Sequence, residues 1–378
     1  MTQPSATKKG ALREARALRL RGIAEGRVLA GPQTVHIDLA NGCNTNCVTC
    51  WDHSPLLNEA RSNAWKRKRV ALEDFSALAA DLASMNSVEA VILSGMGDPF
   101  VNPDIYSIIE ISKSYGWHVT VLTNALLADA EQVINLDVDM MLISVNGVSP
   151  QSYTAFHPNL LPRDFHHLLQ LLDTFAKSGK RFKHVQVINR DTAPEVVEMV
   201  RFAARYAASH VTYKLASLGR GTESCVITKE QRERLQNEWI PLAQAEARRL
   251  GVETNLDVFA SQVATGGLAT APIKDVGCFM GWTYARVTVE GKILFCCSTE
   301  VEVGDLSHGK FSEQWFGDAW NETRSRLMQG RYFPGCAQCG KLNQNVKIGR
   351  RVLEKLGAPI YLARTGRQQP SLSEEHRR

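Results

Sequence analysis

Apolar and polar positions along the chain change period many times, and the changes mark out its elements. Thr34-Val35-His36-Ile37-Asp38-Leu39 alternates as a strand does, and Leu72 to Met85 places Leu72, Phe75, Leu78, Ala79 and Leu82 at helical spacing. The same reading gives strands at Val88–Leu93, His118–Leu122, Met140–Val145, Lys183–Ile188 and Val211–Leu215. Between them it gives helices at Ile105–Tyr115, Asp129–Asn135, Arg163–Ser178 and Pro194–Ala208, with Gly116 and Gly179 as stops. Strands alternating with helices at this spacing predict parallel β/α units. Six strands are counted through Leu215, two fewer than a closed eightfold barrel needs. The expected fold is therefore α/β, a six-unit partial (β/α)6 TIM-like barrel over about residues 33–220.

Flanking segments read differently. Residues 10–25 form a basic amphipathic helix, expected to pack on the barrel, and residues 53–69 are polar, basic and without clear period. Residues 228–251 predict a connecting helix, and 264–272 a Gly/Ala/Thr loop. Tyr284–Val289 and Lys292–Phe295 read as a hairpin turning at Glu290-Gly291, and 311–328 as a helical segment. The expected organisation is an N-terminal helix (1–32), the barrel (33–220), a connector (221–275), a small cysteine-bearing domain (276–345) and a basic tail (346–378).

At 378 residues the chain can bury a large core. It has no run of eighteen apolar residues, and Met1 to Gly10 is polar, so no membrane association is expected and a cytoplasmic location is. The net charge of +5 is uneven: residues 1–30 and 341–378 contribute +5 and +6, leaving −6 for residues 31–340. A mildly acidic body with basic ends does not suggest nucleic-acid binding. Of nine cysteines, eight fall near the N-terminus or between Cys278 and Cys339, which favours metal sites in a reducing compartment over a disulfide scaffold.

Cys43, Cys47 and Cys50 are spaced C-x3-C-x2-C in the loop after the first strand. Three thiolates on one loop can hold three irons of a [4Fe–4S] cluster and leave the fourth open. The motif resembles that of the radical S-adenosylmethionine (SAM) enzymes, although Thr49 stands where many members carry an aromatic residue and Trp51 follows the motif instead. The resemblance implies a partial barrel and SAM as cosubstrate. It gives roles to other strand-end loops. Ser94-Gly95-Met96-Gly97-Asp98-Pro99 corresponds to the family's Gly-Gly-Glu-Pro-like motif for the SAM amino group, with Asp98 in place of Glu. Glycines at Gly95 and Gly97 let a ligand approach the backbone. Asn124, in Thr123-Asn124-Ala125, and Ser144 and Asn146, in Ser144-Val145-Asn146-Gly147, are expected against the SAM carboxylate or ribose. Arg190 is expected to pair with a carboxylate of SAM or of substrate. Asp98, Arg190 and His157 lie near strand ends, but none stands out as a general base.

Cys278, Cys296, Cys336 and Cys339 supply four more thiolates, which by spacing alone suit zinc or a second cluster. C-x12-G-x4-C followed by C-x2-C resembles the SPASM/twitch extension of radical SAM enzymes, in its shorter form with one auxiliary [4Fe–4S] cluster. Cys297 could replace Cys296 as ligand, and Cys225 reads as a small buried hydrophobe. Within this family the chain resembles the butirosin-pathway aminocyclitol dehydrogenases. That implies a radical SAM dehydrogenase of natural-product biosynthesis, oxidising a secondary alcohol of an aminocyclitol or sugar. The auxiliary cluster would accept an electron, and an external donor such as flavodoxin or ferredoxin would supply the first one. An acidic body would suit a cationic aminocyclitol. The alternative is modification of a ribosomal peptide by epimerisation, thioether formation or side-chain oxidation, where Cys225 or Cys297 could donate hydrogen. Against it, only about thirty residues precede the barrel, few for a leader-binding domain. A non-enzymatic iron–sulfur scaffold would hardly need a barrel of this size.

Overall fold

The computed structural model describes residues 6–266, 270–297 and 301–357. Its strands are β1 (Thr34–Asp38), β2 (Ala90–Ser94), β3 (His118–Thr123), β4 (Met140–Ser144), β5 (Phe182–Ile188), β6 (His210–Leu215), β7 (Glu253–Thr254), β8 (Tyr284–Val287), β9 (Lys292–Leu294) and β10 (Glu302–Asp305). They form a ten-stranded sheet in the order β10-β9-β8-β1-β2-β3-β4-β5-β6-β7. The six expected strands lie side by side, in sequence order and parallel. Helices Leu72–Ser84, Ile105–Ser114, Pro162–Ser178 and Val196–Arg205 fill the intervals.

Strand alternation sorts the side chains. Val35, Ile37, Val91, Leu93, Val119, Val121, Met141 and Ile143 are fully buried beneath the helices. Burying each such side chain stabilises the fold by about 1.5–3 kcal/mol. The opposite, concave face carries His36, Asp38, Ser94, Leu122 and Ser144, as the register of β1 to β4 requires.

Two further strands extend the parallel set beyond the six units. β7 joins β6, and its two residues are too few to show a period. β8 joins the free edge of β1 in parallel, with Thr34 opposite Tyr284 and His36 opposite Arg286. The hairpin expected of a separate small domain is therefore built into the barrel sheet, and all four β8 residues are buried. The antiparallel partners β9 and β10 complete it. β10 was not legible because its short Glu302-Val303-Gly304-Asp305 carries a glycine and a register shift.

The connecting helix is three helical pieces, Lys229–Arg234, a wide turn over Leu235–Trp239, and Ile240–Leu250. Pro241, which lacks a backbone donor, sits where the wide turn ends. The segment 311–328 is two helices, Phe311–Trp315 and Asp318–Met328, broken at Phe316-Gly317. Residues 53–69 contain one short helix, Asn63–Lys66, capped by Ser62. The expected 264–272 loop lies partly outside the described residues.

The N-terminal helix Ala6–Glu25 does more than cover the barrel. Arg19 is buried and donates to Gly31 O at 2.9 Å and to Glu89 at 3.0 Å. Ile23 packs with Phe279, Trp282 and Val352 of the C-terminal region. Val352 belongs to the helix Leu342–Leu356, which crosses the expected start of the basic tail at 346. An amphipathic face, with Leu342, Asn345 and Val352 buried, turns that basic stretch into a packed element.

Candidate active site between two cysteine groups

The first cysteine loop follows β1 directly and is held by backbone and amide contacts. Asn46 N–H donates to Asn159 Oδ1 at 3.0 Å, Asn159 N–H donates to Asn46 Oδ1 at 3.0 Å, and Asn159 Nδ2 donates to Asn44 O at 2.8 Å. Val48 N–H donates to Phe156 O at 3.0 Å and Cys50 N–H to Cys47 O at 2.9 Å. Thr45, buried within the loop, places its Oγ1 3.3 Å from Cys43 Sγ and 3.5 Å from Cys47 Sγ. Trp51, half exposed, donates from Nε1 to Ser217 O at 2.6 Å beyond β6.

Burial pushes the Cys43 thiol up to about 11, raises Cys47 further and raises Cys50. A thiolate there is unfavourable unless something replaces the lost hydration, and a bound metal does so. Among the described residues no three Cys, His, Asp or Glu side chains converge on a single ion. A cubane cluster gives each thiolate its own iron and so needs no such convergence. Three soft donors on one stapled loop, two of them beside the Thr45 hydroxyl, fit a [4Fe–4S] cluster.

The glycine loop lies against the cysteine loop. Gly97 N–H donates to Ala40 O at 3.1 Å and Asp98 N–H to Gly42 O at 2.9 Å. A Cβ at Gly95 would overlap Ala40 O, and one at Gly97 would overlap Gly42 O. The close approach these glycines permit is thus to the chain's own backbone. Asp98 is buried, and its carboxylate is fully engaged. Oδ2 accepts from Thr123 Oγ1 at 2.7 Å and Asn124 N–H at 2.8 Å, and Oδ1 from Phe100 N–H at 3.0 Å. Burial raises its pKa, and these three donors work against the rise. Asp98 is placed as a brace between the ends of β2 and β3.

Asn124 reaches back to the cysteine loop, donating from Nδ2 to Asn44 Oδ1 at 2.8 Å. Asn146 takes a left-handed backbone (φ 53°) and accepts from Val187 N–H at 2.9 Å. Ser144 stands half-buried at the end of β4. Arg190 is half exposed, its Nε 3.7 Å from neighbouring Asp191. The structure thus gathers Gly95, Gly97, Asp98 and Asn124 around the cysteine loop and leaves Arg190 turned outward. His157 is a core residue: Nδ1 meets Tyr153 O at 2.8 Å, the ring packs on Tyr153 and Phe156, and burial pushes its pKa down to about 4. Cys225 is also buried, packed beneath the loop with Val48 and Phe156.

A polar group on the concave face was not read from the sequence. Asp38, fully buried, takes a bidentate contact from Arg286, with Nε to Oδ2 at 2.9 Å and Nη2 to Oδ1 at 3.0 Å. Burial pushes the Asp38 carboxyl upward and the guanidinium opposes the shift. His36 Nδ1 lies 2.8 Å from Tyr284 Oη, and its Nε2 meets Ser94 Oγ. Lys341 Nζ sits 4.2 Å from the centre of the Tyr284 ring. The signal that could have found this group is a run of polar residues at the inward positions of β1 and β8.

Lys341 leads to the second cysteine group. Cys278 and Cys296 pack at the edge of the main core, and Cys336 and Cys339 lie in the turn Pro334–Gln338 and directly after it. Burial pushes Cys278 up to about 12 and raises Cys336 and Cys339. Cys297 is exposed and its thiol is pulled down to about 6, chiefly by a hydrogen bond with Cys296, with Lys341 and Arg286 adding to it. Its Sγ lies 3.5 Å from the Cβ position of Gly340, the residue directly after Cys339. Buried thiols from three separate segments fit a second cluster as they fit the first.

A parallel partial barrel with three cysteines after its first strand defines the radical SAM class. Residues 37–203 match the Radical SAM superfamily model, and residues 278–340 match SPASM, an iron–sulfur cluster-binding domain. The chain thus carries a Radical SAM domain and a SPASM domain, and the cofactors these domains imply are [4Fe–4S] clusters and SAM. It is 22% identical over 307 residues to the AdoMet-dependent heme synthase of Methanosarcina barkeri, spanning 75% of this chain and 82% of that one. SuiB of Streptococcus suis, solved bound to S-adenosylmethionine, superposes with a TM-score of 0.62 at 18% identity, covering 95% of this chain and 82% of that one. SuiB has also been solved bound to the precursor peptide SuiA. BtrN, solved with AdoMet and 2-DOIA, superposes with a TM-score of 0.41 at 11% identity, over 81% of this chain and 91% of that one. No helix among the described residues is long and apolar enough to cross a membrane.

Proposed function

We propose that this radical SAM enzyme is a dehydrogenase that oxidises a secondary alcohol of a sugar or aminocyclitol to a ketone. The observation that carries the reading is a second cysteine group with enough thiols to ligate every iron of its cluster. A cluster so filled has no vacant iron for substrate and is suited to taking an electron. When bound, the first cluster supplies one electron, from a donor such as flavodoxin or ferredoxin, to cleave SAM. With SAM bound, the site would supply hydrogen abstraction from the carbinol carbon, and Cys278, Cys296, Cys336 and Cys339 would hold an acceptor for the electron left once the hydroxyl loses its proton.

The chain's own residues hold and enclose. Cys43, Cys47 and Cys50 would ligate the first cluster, and Cys278, Cys296, Cys336 and Cys339 the second. SAM would lie on the Gly95–Gly97 loop, within reach of Asn124, Ser144 and Asn146. Asp98 acts indirectly, fixing Thr123 and Asn124 through its three accepted hydrogen bonds. Arg190, turned outward, is assigned to substrate entry rather than to SAM. The acidic charge of the body does not reach the interior as free carboxylate at Asp38 or Asp98, since both are engaged. That favours a sugar over a cationic aminocyclitol.

Peptide epimerisation is the second reading. It needs a hydrogen donor, and the exposed Cys297 is better placed for that than the buried Cys225. The experiment is turnover of candidate sugars and aminocyclitols deuterated at the carbinol carbon. Ketone and deuterated 5′-deoxyadenosine should form together. Ketone accompanied by unlabelled 5′-deoxyadenosine refutes the mechanism.

A further inference from the structure

The SPASM domain reaches into the first cluster's surroundings at two points. Glu290, at the hairpin turn between β8 and β9, accepts from Asn41 Nδ2 at 2.9 Å, just ahead of the cysteine loop. Lys68 Nζ stands 3.5 Å from the same carboxylate. Arg286, on β8, makes the second contact. Besides its bidentate hold on Asp38, its Nη2 donates to Met96 Sδ at 3.1 Å. Met96 lies between Gly95 and Gly97, in the loop that Gly97 and Asp98 tie to Ala40 and Gly42.

The geometry of this contact is demanding. Asp38 ends β1 and is fully buried, so its charge requires a buried partner. A guanidinium can grip both carboxylate oxygens and still present an N–H to a third atom, which an ammonium on a flexible stem does not reproduce. One side chain therefore joins the end of β1, the strand β8 and the middle of the glycine loop. The position of Met96, and with it the backbone on either side, is set from a domain more than 180 residues further along the chain.

We propose that Arg286 is a positioning residue for SAM. Through Met96 it fixes the Gly95–Gly97 backbone on which SAM would lie. SAM affinity thus depends on a side chain of the SPASM domain. This rests on the reading that SAM lies on that loop. The contact is separate from the auxiliary cluster's own ligands, so losing it leaves all seven proposed cysteine ligands in place.

The test uses the full chain with both clusters reconstituted anaerobically. It follows the change that added SAM produces in the EPR spectrum of the reduced first cluster. Met96→Ala removes the sulfur and leaves the Asp38–Arg286 pair whole. Arg286→Lys keeps the charge and loses the fork. Removing one hydrogen bond of this kind should raise the SAM concentration at half-saturation by about threefold to tenfold. Both variants should show this, with iron content and melting temperature near wild type for Met96→Ala. Unchanged half-saturation in Met96→Ala overturns the proposal, even if Arg286→Lys weakens binding, because the arginine would then act only by stabilising Asp38. If Arg286→Lys loses iron, Met96→Ala alone decides. A wild-type spectrum that does not respond to SAM refutes the SAM-site reading itself, an outcome distinct from a responsive wild type matched by its variants.

Discussion

Gly97 rests on the carbonyl of Gly42 with no room for a side chain between them. Two hydrogen bonds flank the contact, Gly97 N–H to Ala40 O at 3.1 Å and Asp98 N–H to Gly42 O at 2.9 Å. The glycine loop and the cysteine loop are thereby one unit, and their separation cannot grow by even a methyl group without breaking both bonds. Gly97→Ala should cost about 1–3 kcal/mol in forced backbone movement. Because the strain falls on the loop of Cys43, the first cluster should be lost and the auxiliary cluster kept. Iron and sulfide per chain should fall by about half while the far-UV spectrum is unchanged. A variant with full iron content would show that the loops can separate.

Asn159 has no part in ligation, yet it closes the same loop from the other side. Its Oδ1 and Nδ2 meet Asn46 N–H and Asn44 O at 3.0 and 2.8 Å, between Cys43 and Cys47. Asn159→Ala frees both backbone groups, at a cost of about 1 kcal/mol per hydrogen bond. The loop should then open more often, and an iron chelator should strip the first cluster several times faster than in wild type. The auxiliary cluster's loss rate should not change. Equal stripping of both clusters would place the effect in global stability instead.

The elements that could be read from the chain are those whose signal is local. The apolar patterns of β1 to β6 and the Cys43-Cys47-Cys50 spacing each fit within a dozen residues. Glycines at 95 and 97 were legible as a need for closeness, but not as to what comes close. The sequence suggested a ligand, whereas the near neighbours are the carbonyls of Ala40 and Gly42. Asp98 was legible as a carboxylate in the loop after β2. Its engagement by Thr123 and Asn124 depends on β3 lying beside β2, which no window of sequence shows. Least legible was Arg286. Its partner Asp38 is 248 residues away, and the pairing exists only because β8 adds to the edge of β1.

His184 sets a pH limit on the fold. It lies on β5, fully buried between Phe182 and Phe202, with ring centroids 5.6 and 5.5 Å away, and neither ring nitrogen has a hydrogen-bond partner. Burial pushes its pKa down to about 3, while the unfolded chain titrates near 6.5. Between those values the unfolded state binds the proton and the folded state does not, so stability rises with pH across the window. The contribution is complete above about pH 6.5 and is lost as the pH falls toward 3. At pH 5 the loss from this residue is about 2 kcal/mol. His157, pushed down to about 4, adds a similar slope over a narrower range. His184→Leu removes this residue's slope and keeps an apolar side chain in the site. Denaturant unfolding of wild type and variant at pH 7.5 and pH 5 should show the wild type losing more stability than the variant, by about 2 kcal/mol. Equal losses in the two proteins would mean that His184 is protonated, or reached by water, in the folded state.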